Sequence, residues 1–514
     1  MSGELLLGID IGTYGSKGVL CTPDGEIVAE RALEHGLSVP RAGWAEHDAD
    51  AVWWGDFCAL ARGLLEGVSS EAIAAVGVSG LGPDLVPLDA AGAALRPAIL
   101  YGVDGRASEE IAELERRFGR DALAGLGGMY LTSQAVGPKI LWLRRREPEV
   151  FARTRYLCTS STFLVLRLTG EYVLDPHTAS LFSPLFDMAL LTWSDRCRDA
   201  VSGEVPLPEL AWPGDAAGAV TARAAEQTGL EAGTPVMAGT IDAISEAVSV
   251  GVTQPGDLMM MYGTTAFLVL VVDRLGPPDR TVWQTPYAFP GSFDIEAGMA
   301  TTGALMRWFR DNFAREELAA ERSGGPNAYA ALLAEAERVP AGSEGLVVLP
   351  YFSGERTPLN DPQARGIIAG LALRHGRGHV YRAILEAVGY GLAHNLESMR
   401  ALGVAPKRAV AVGGGAQNPL LLQIVSDVTG VDQELPERTL GACYGDAFLA
   451  GRAAGLVAMS DLGSGWVRIG RRIRAQAERR SLYREYFGIY RRLYEETKED
   501  MHSLAGLSGA VKEP

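Results

Sequence analysis

Three short strings carry acidic or glycine-rich groups at spacings suited to chemistry on phosphates and hydroxyls. The first is Leu5-Leu6-Leu7-Gly8-Ile9-Asp10-Ile11-Gly12-Thr13. Period-two alternation puts Leu5, Leu7, Ile9 and Ile11 on one face of a strand and Asp10 on the other, with Gly8 and Gly12. A carboxylate in so apolar a strand is unfavourable unless a cation or hydrogen-bond donors meet it. The Gly12-Thr13 turn offers backbone N–H groups and a hydroxyl that suit a phosphate. Asp10 beside it would hold hydrated Mg2+, a hard cation shared between carboxylates and nucleotide phosphates. The plainer alternative is that Asp10 ends its strand and hydrogen-bonds the turn.

In Thr234-Pro235-Val236-Met237-Ala238-Gly239-Thr240-Ile241-Asp242, a short buried strand ends at Gly239 and a helical pattern (Ile244, Ala247, Val248) follows Asp242. Asp242 therefore sits near a helix N-terminus, where it either caps the helix or, ionised at the mouth of a cleft, takes a proton from a hydroxyl. The third string, Ala409-Val410-Ala411-Val412-Gly413-Gly414-Gly415-Ala416-Gln417-Asn418-Pro419, runs strand, glycine turn, helix. Its glycines either let the backbone approach a ligand or make a tight turn. It lacks the G-x-G-x-x-G spacing of a dinucleotide site. The chain has no Walker motif, no H-E-x-x-H and no G-x-S-x-G elbow, which disfavours P-loop, zinc-protease and serine-hydrolase chemistry.

These strings need elements to hold them. Leu5–Ile11, Gly18–Cys21 and Glu26–Glu30, separated by short turns, predict an antiparallel meander. A helix around 51–65 and strands at 74–78 and 98–101 continue an α/β pattern with a mixed sheet. A second meander, 257–272, folds around Gly263-Thr264-Thr265 and repeats the opening layout. Just before it, Gly251-Val252-Thr253-Gln254-Pro255-Gly256 has the composition of a boundary. The second half closes with a strand at 408–412 and a helix from Pro419 to Thr429. The reading is two similar α/β lobes, 1–253 and 254–459, facing a cleft, with a helical extension at 460–514 whose Arg468–Arg480 run forms a solvated helix face.

The chain's 514 residues suffice for two large domains, and 47% hydrophobic with 21% charged residues is ordinary for a protein with real cores. The net charge of -16 opposes nucleic acid and anionic membranes as partners. The five cysteines (Cys21, Cys58, Cys158, Cys197, Cys443) form no CxxC pair, the amino terminus has no basic leader region, and the uncharged stretch 258–272 is too short for a bilayer. The expectation is a cytoplasmic protein with reduced thiols.

The order of the strings, with Ser353-Gly354-Glu355-Arg356-Thr357-Pro358, Asn360-Asp361-Pro362 and Ala364-Arg365-Gly366, resembles the FGGY family of carbohydrate kinases. So do Gly43-Trp44-Ala45-Glu46-His47-Asp48 and Lys139-Ile140-Leu141-Trp142-Leu143, and the match runs from Leu6 to about Leu456. The resemblance implies two actin-like (ribonuclease H-like) lobes closing on ATP and a sugar, and, as is common in the family, a homodimer. It implies Asp242 as catalytic base and Asp10 acting with Mg2+. By the same carry-over, Gly12, Thr13, Gly263 and Thr264 would cradle phosphates, and Gly303, Gly414 and Asn418 would border the adenosine. The chain departs from the xylulose kinase pattern where it would touch the sugar. A Met and a His are replaced by Gly82 and Pro83, the Asn after the catalytic Asp is Ala243, and Asp104 and Arg106 survive in an altered strand. A sugar pocket built from Gly82, Pro83, Asp84, Asp104 and Asp242, for xylulose or another ketose or polyol, is therefore expected. The competing readings are a non-catalytic sugar sensor and an actin-like ATPase.

Overall fold

The computed structural model describes residues 4–510. Strands β1 (Leu5–Ile11), β2 (Gly15–Cys21) and β3 (Ile27–Glu34) form the expected antiparallel meander, the third strand running on to Glu34. Helix α1 (Gly55–Leu64) is entered through a π-helical turn, Ala49–Trp54, whose first amides are capped by the Asp48 carboxylate. Strand β4 (Ile73–Gly80) then pairs parallel to β1. After α2 (Ser160–Thr169) and the short α3 (Pro176–Ser180) come β5 (Ala216–Ala219), β6 (Pro235–Met237) and β7 (Thr240–Ile241). The first sheet has the order β5-β6-β4-β1-β2-β3, with β7 also paired to β4. Helix α4 (Asp242–Ser249) leads out of it.

The second sheet repeats the opening device. Strands β8 (Asp257–Tyr262) and β9 (Ala266–Val272) turn at Gly263-Thr264-Thr265, and β10 (Trp283–Pro286) and β11 (Phe293–Met299) extend the meander. Helices α5 (Gly303–Phe313) and α6 (Arg377–Ala401) precede β12 (Arg408–Val412), which pairs parallel to β8. Helix α7 (Pro419–Thr429) begins at the predicted residue because Asn418 caps the Leu421 amide at 3.0 Å and Pro419 fills the first helical position. Strand β13 (Gln433–Pro436), α8 (Ala442–Ala453), β14 (Ile469–Ile473) and α9 (Arg480–Ala510) complete the chain. The strand order is β10-β11-β9-β8-β12-β13-β14.

The tail differs from expectation. Ile469–Ile473 pairs antiparallel with β13 as an edge strand, and the long α-helix opens only at Arg480. Ile473 points into the second sheet's core while Arg471 and Arg472, on opposite faces of the strand, both stay exposed, Arg472 pairing with Glu434. Such charges blunt an open sheet edge against further pairing. Helix α9 then docks through Tyr483, Tyr490 and Tyr494 onto Tyr351 and Tyr390. No helix among the described residues is long and apolar enough to cross a membrane.

Between the two sheets lies a core of its own. Leu6 and Ala75 come from the first sheet, Met259, Val269 and Val410 from the second, and α4 and α8 are packed between them through Ile244, Val248, Ala447 and Phe448. Helix α8 approaches β1 and β4 so closely that a Cβ on Gly8 would lie 1.9 Å from the Cys443 carbonyl oxygen, and one on Gly77 would lie 2.0 Å from that of Asp446. Gly8 and Gly77 are register partners, so two adjacent strands present one groove to the helix. On its far side Gly445 does the same service: a Cβ there would lie 1.9 Å from the Ser245 carbonyl oxygen of α4. Backbone contact of this kind is open only to glycine.

Candidate active site

The register of β1 places Asp10 opposite Lys17 on β2 and Ser79 on β4. Asp242 is the first residue of α4 and accepts its own helix's Ala243 amide at 2.7 Å. Both carboxylates keep partial exposure. Burial pushes Asp10 up to about 6, offset in part by the Ser79 hydroxyl and the Lys17 charge. Asp242 is raised well above the usual carboxylate range, first by burial and then by the charge of Asp10. One helical turn on, burial and Asp10 push Glu246 up to about 7. Carboxylates that raise one another in this way form an environment that a divalent cation relieves, so the residues present fit Mg2+.

Helix α8 reaches Asp10 through Ser79. Ser79 Oγ lies 3.0 Å from Asp10 Oδ1 and 2.7 Å from Asp446 Oδ2. The other Asp446 oxygen meets the Ser245 hydroxyl of α4. Ser79 has one proton and cannot donate to two carboxylates at once. Asp446 is fully buried, and its pKa is raised well above normal by burial and by Asp10. Ser79 therefore links the two acids when one of them carries a proton, and burial with the charge of Asp10 favours that proton on Asp446. This relay ties the first sheet, α4 and α8 together at the carboxylate best placed to meet a cation.

The two glycine turns are built alike. Gly12 donates its amide to the Gly15 carbonyl at 3.1 Å and Gly263 to the Thr265 carbonyl at 2.9 Å, so a phosphate would take amides later in each turn, with the threonine hydroxyls. Thr13 Oγ1 lies 2.8 Å from the Tyr101 hydroxyl. Tyr101 in turn feels the charges of both Asp242 and Arg356, which brings the Ser353–Pro358 signature up to the same cleft. A cleft of about 580 Å³ gathers Gly263, Thr264, Gly303, Gly414 and Asn418, all predicted to border a nucleotide, beside Tyr262, Arg307 and Tyr381. Gly303 is confined to glycine by packing, since a Cβ there would lie 2.5 Å from the Gly263 carbonyl oxygen.

The predicted sugar contacts divide. Gly82 lies beside Ile241, the residue before Asp242, since a Cβ on it would touch Ile241 Cδ1 at 3.4 Å. Pro83 is buried, with its carbonyl 3.4 Å from Lys139 Nζ. Asp84 and Asp104 do not reach the cleft surface, being 0% and 1% exposed. Asp84 accepts the Ser160 amide at 2.8 Å, and burial pushes it up to about 8. Asp104 accepts the Ala45 amide at 2.8 Å and a two-pronged contact from Arg106, whose guanidinium stacks 3.8 Å over Trp44 and also pairs with Glu46. Both carboxylates accept hydrogen bonds from protein groups in this structure, Asp104 through both oxygens and Asp84 through Oδ1 alone, its buried Oδ2 having no hydrogen-bond partner. Glu246, Ser79, Asp446, Tyr101 and Arg356 went unread as site residues. Glu246 had a signal, its spacing four residues after Asp242; Asp446 had another, a lone charge in the apolar run Ala442–Ala450. Ser79, Tyr101 and Arg356 take their places only through tertiary contacts.

The fold is shared with a xylulose kinase from Rhodospirillum rubrum, whose crystal structure superposes with a TM-score of 0.89 at 32% identity, covering 97% of this chain and 100% of that one. The model of the N-terminal domain of the FGGY family of carbohydrate kinases matches residues 5–249, and that of the C-terminal domain matches residues 258–454. The chain belongs to the FGGY family of carbohydrate kinases. Its relatives include the xylulose kinase of Escherichia coli K12, 32% identical over 456 residues, covering 88% of this chain and 90% of that one. They include also the autoinducer-2 kinase of Enterobacter sp. 638, 33% identical over 499 residues, covering 93% and 92%. The protein is thus a xylulose kinase-like sugar kinase, of a family whose phosphoryl donor is ATP.

Proposed function

We propose that the protein transfers the γ-phosphoryl group of Mg-ATP to a hydroxyl of a small ketose or polyol, with Asp242 as the general base. The observation that carries this reading is the position of Asp242 at the start of α4, coupled electrostatically to Asp10 and sharing with Arg356 the surroundings of Tyr101. A base must be ionised yet basic, and burial beside a second carboxylate raises Asp242 towards the range where proton transfer from a hydroxyl is efficient. Mg2+ held through Asp10 would neutralise charge on the transferred group. In a loose, in-line transition state there is little further covalent work for the protein, so its residues position and neutralise. The turns at Gly12-Thr13 and Gly263-Thr264 would hold phosphates from opposite lobes, with the adenosine along Gly303, Gly414 and Asn418. Gly82 and Pro83 would wall the sugar side, where small and rigid residues leave room for a substrate other than xylulose.

The relatives name two acceptors, xylulose and autoinducer-2. ADP release would be measured with Mg-ATP across ketopentoses, ketohexoses, polyols, sugar acids and autoinducer-2. One acceptor is expected to raise turnover far above background, and Asp242→Asn is expected to lower that kcat about 10²–10⁴-fold while ATP binding is kept. Full turnover in Asp242→Asn would remove the base assignment.

A further inference from the structure

Away from the cleft, the two halves of the chain meet at a second polar cluster. Strand β11 turns Ile295, Ala297 and Met299 into the second sheet's core, so alternation sends Asp294 and Glu296 to the opposite face. That face is covered, and the two carboxylates are 0% and 6% exposed. His177, 1% exposed, reaches them from α3, which lies within the stretch matching the family's N-terminal domain.

The imidazole's tautomer follows from its contacts. Nδ1 lies 3.0 Å from the Pro286 carbonyl, which can only accept, so Nδ1 carries the proton and Nε2 presents its lone pair. Nε2 lies 3.7 Å from Glu296 Oε1, and Nδ1 lies 3.9 Å from Asp294 Oδ1; neither is a hydrogen bond. One atom from each of the three side chains lies within 4.8 Å of the others. Asp294 Oδ1 accepts the Thr285 hydroxyl, while Oδ2 is buried with no hydrogen-bond partner. Among the described residues His177 is the sole ion-pair partner of either carboxylate, and no lysine or arginine lies within 4 Å of them. Burial holds His177 down at about 4 and raises both acids, Asp294 further through the charge of Glu296, while a hydrogen bond with Asp294 partly offsets the rise at Glu296.

Three electron-pair donors therefore converge in a buried space without a positive group to join them. Ligands about 2.0–2.2 Å from a shared ion at a tetrahedral angle stand roughly 3.3–3.6 Å apart, close to the 3.7 Å between Nε2 and Glu296. A neutral imidazole with two carboxylates balances a 2+ charge. A ligating histidine whose other N–H is held by a backbone carbonyl is the usual outer-shell arrangement. We propose that His177 Nε2, Asp294 and Glu296 form a buried structural site for a divalent transition ion of the Zn2+ class, clamping α3 of the first half to β11 of the second. The site is separate from phosphoryl transfer and stands whether or not the sugar assignment does.

The test loads the full-length protein with one equivalent of ZnCl2, removes loose metal by desalting and measures zinc by plasma mass spectrometry. About one zinc per chain is expected in the wild type and little in His177→Gln and Glu296→Gln, with a chelator lowering the melting temperature of the wild type alone. Should those variants fail to fold, Co2+ titration of the wild type decides. Saturation at one equivalent, with the visible bands of a tetrahedral nitrogen–oxygen shell, supports the site; a sulfur-to-cobalt charge-transfer band places the ion on a cysteine and overturns it. Zinc well below one per folded wild-type chain, or equal zinc in wild type and His177→Gln, also overturns it and leaves a carboxylate pair sharing a proton.

Discussion

Replacing Gly77 with alanine tests the packing that joins the two sheets. The new Cβ would sit 2.0 Å from the Asp446 carbonyl oxygen and 2.5 Å from its carbon, where ordinary contact begins at 3.4 Å. Helix α8 must therefore retreat by roughly 1.4 Å, since backbone on both sides leaves no side chain to swing away. A retreat of that size carries the 2.7 Å Ser79–Asp446 hydrogen bond beyond reach. Overpacking costs about 1–3 kcal/mol, and a buried polar partner left unmade costs about 1–3 kcal/mol more. A net loss of about 3 kcal/mol corresponds to a drop of about 6–12 °C in melting temperature at about 2–4 °C per kcal/mol. Calorimetry and a coupled ADP assay would be run on Gly77→Ala, Gly8→Ala and the double variant. Gly36→Ala is the control, since a Cβ there meets nothing within 4 Å. The double variant should lose less than the sum of the singles, because a helix displaced by one methyl has already made room for the other. Turnover should fall too, as Asp10 loses the relay that orients it. A Gly77→Ala protein melting within about 2 °C of wild type with full turnover would refute the reasoning.

Three further expectations follow from the same geometry. Asp446→Asn, which keeps a donor for Ser79, should lower turnover less than Asp446→Ala, which orphans Ser79 and Ser245; equal loss in steady-state kinetics and in melting would show that the relay does not position Asp10. Asp84 is raised from 3.8 to about 8, so the stability it contributes is complete below pH 4 and is lost as pH rises through 8. Asp84→Asn should therefore gain stability relative to wild type as pH rises from 5 to 8, with the sugar KM little changed; a pH-independent difference, or a large KM shift, would return Asp84 to the substrate. Arg356→Ala should lower kcat more than it raises the sugar KM if its charge serves the transferred phosphoryl; a change confined to KM would place it against the sugar.

Much of this fold is written in local pattern. The β1–β2 and β8–β9 hairpins follow from alternation around a Gly-Thr turn, and α7 starts where Asn418-Pro419 says it must. The arginine-rich tail is ambiguous by local pattern, because Ile469 and Ile473, four apart, suit a strand as well as a helix and only the free edge of β13 decides between them. Asp104 could not be told from a ligand-facing acid by type alone, although Arg106 two residues on was a partner within reach. Asp242 and Asp10 were legible as acids beside glycine turns. Asp446 and His177 were not, since what each does depends on groups supplied by distant parts of the chain.

The groove that Gly8 and Gly77 open for α8 also sets a timetable for synthesis. Ser79 and Asp446, its two sides, stand 367 positions apart. At about 5–20 residues per second, a ribosome needs roughly 20–70 s between making the first sheet and making the helix that roofs it. Through that interval Leu6, Ala75 and a strip of bare backbone face solvent on the nascent chain. A fragment stopped at residue 253 would keep that face uncovered for good, so the first lobe is expected to be aggregation-prone when expressed alone and to regain solubility when the segment bearing α8 is supplied with it.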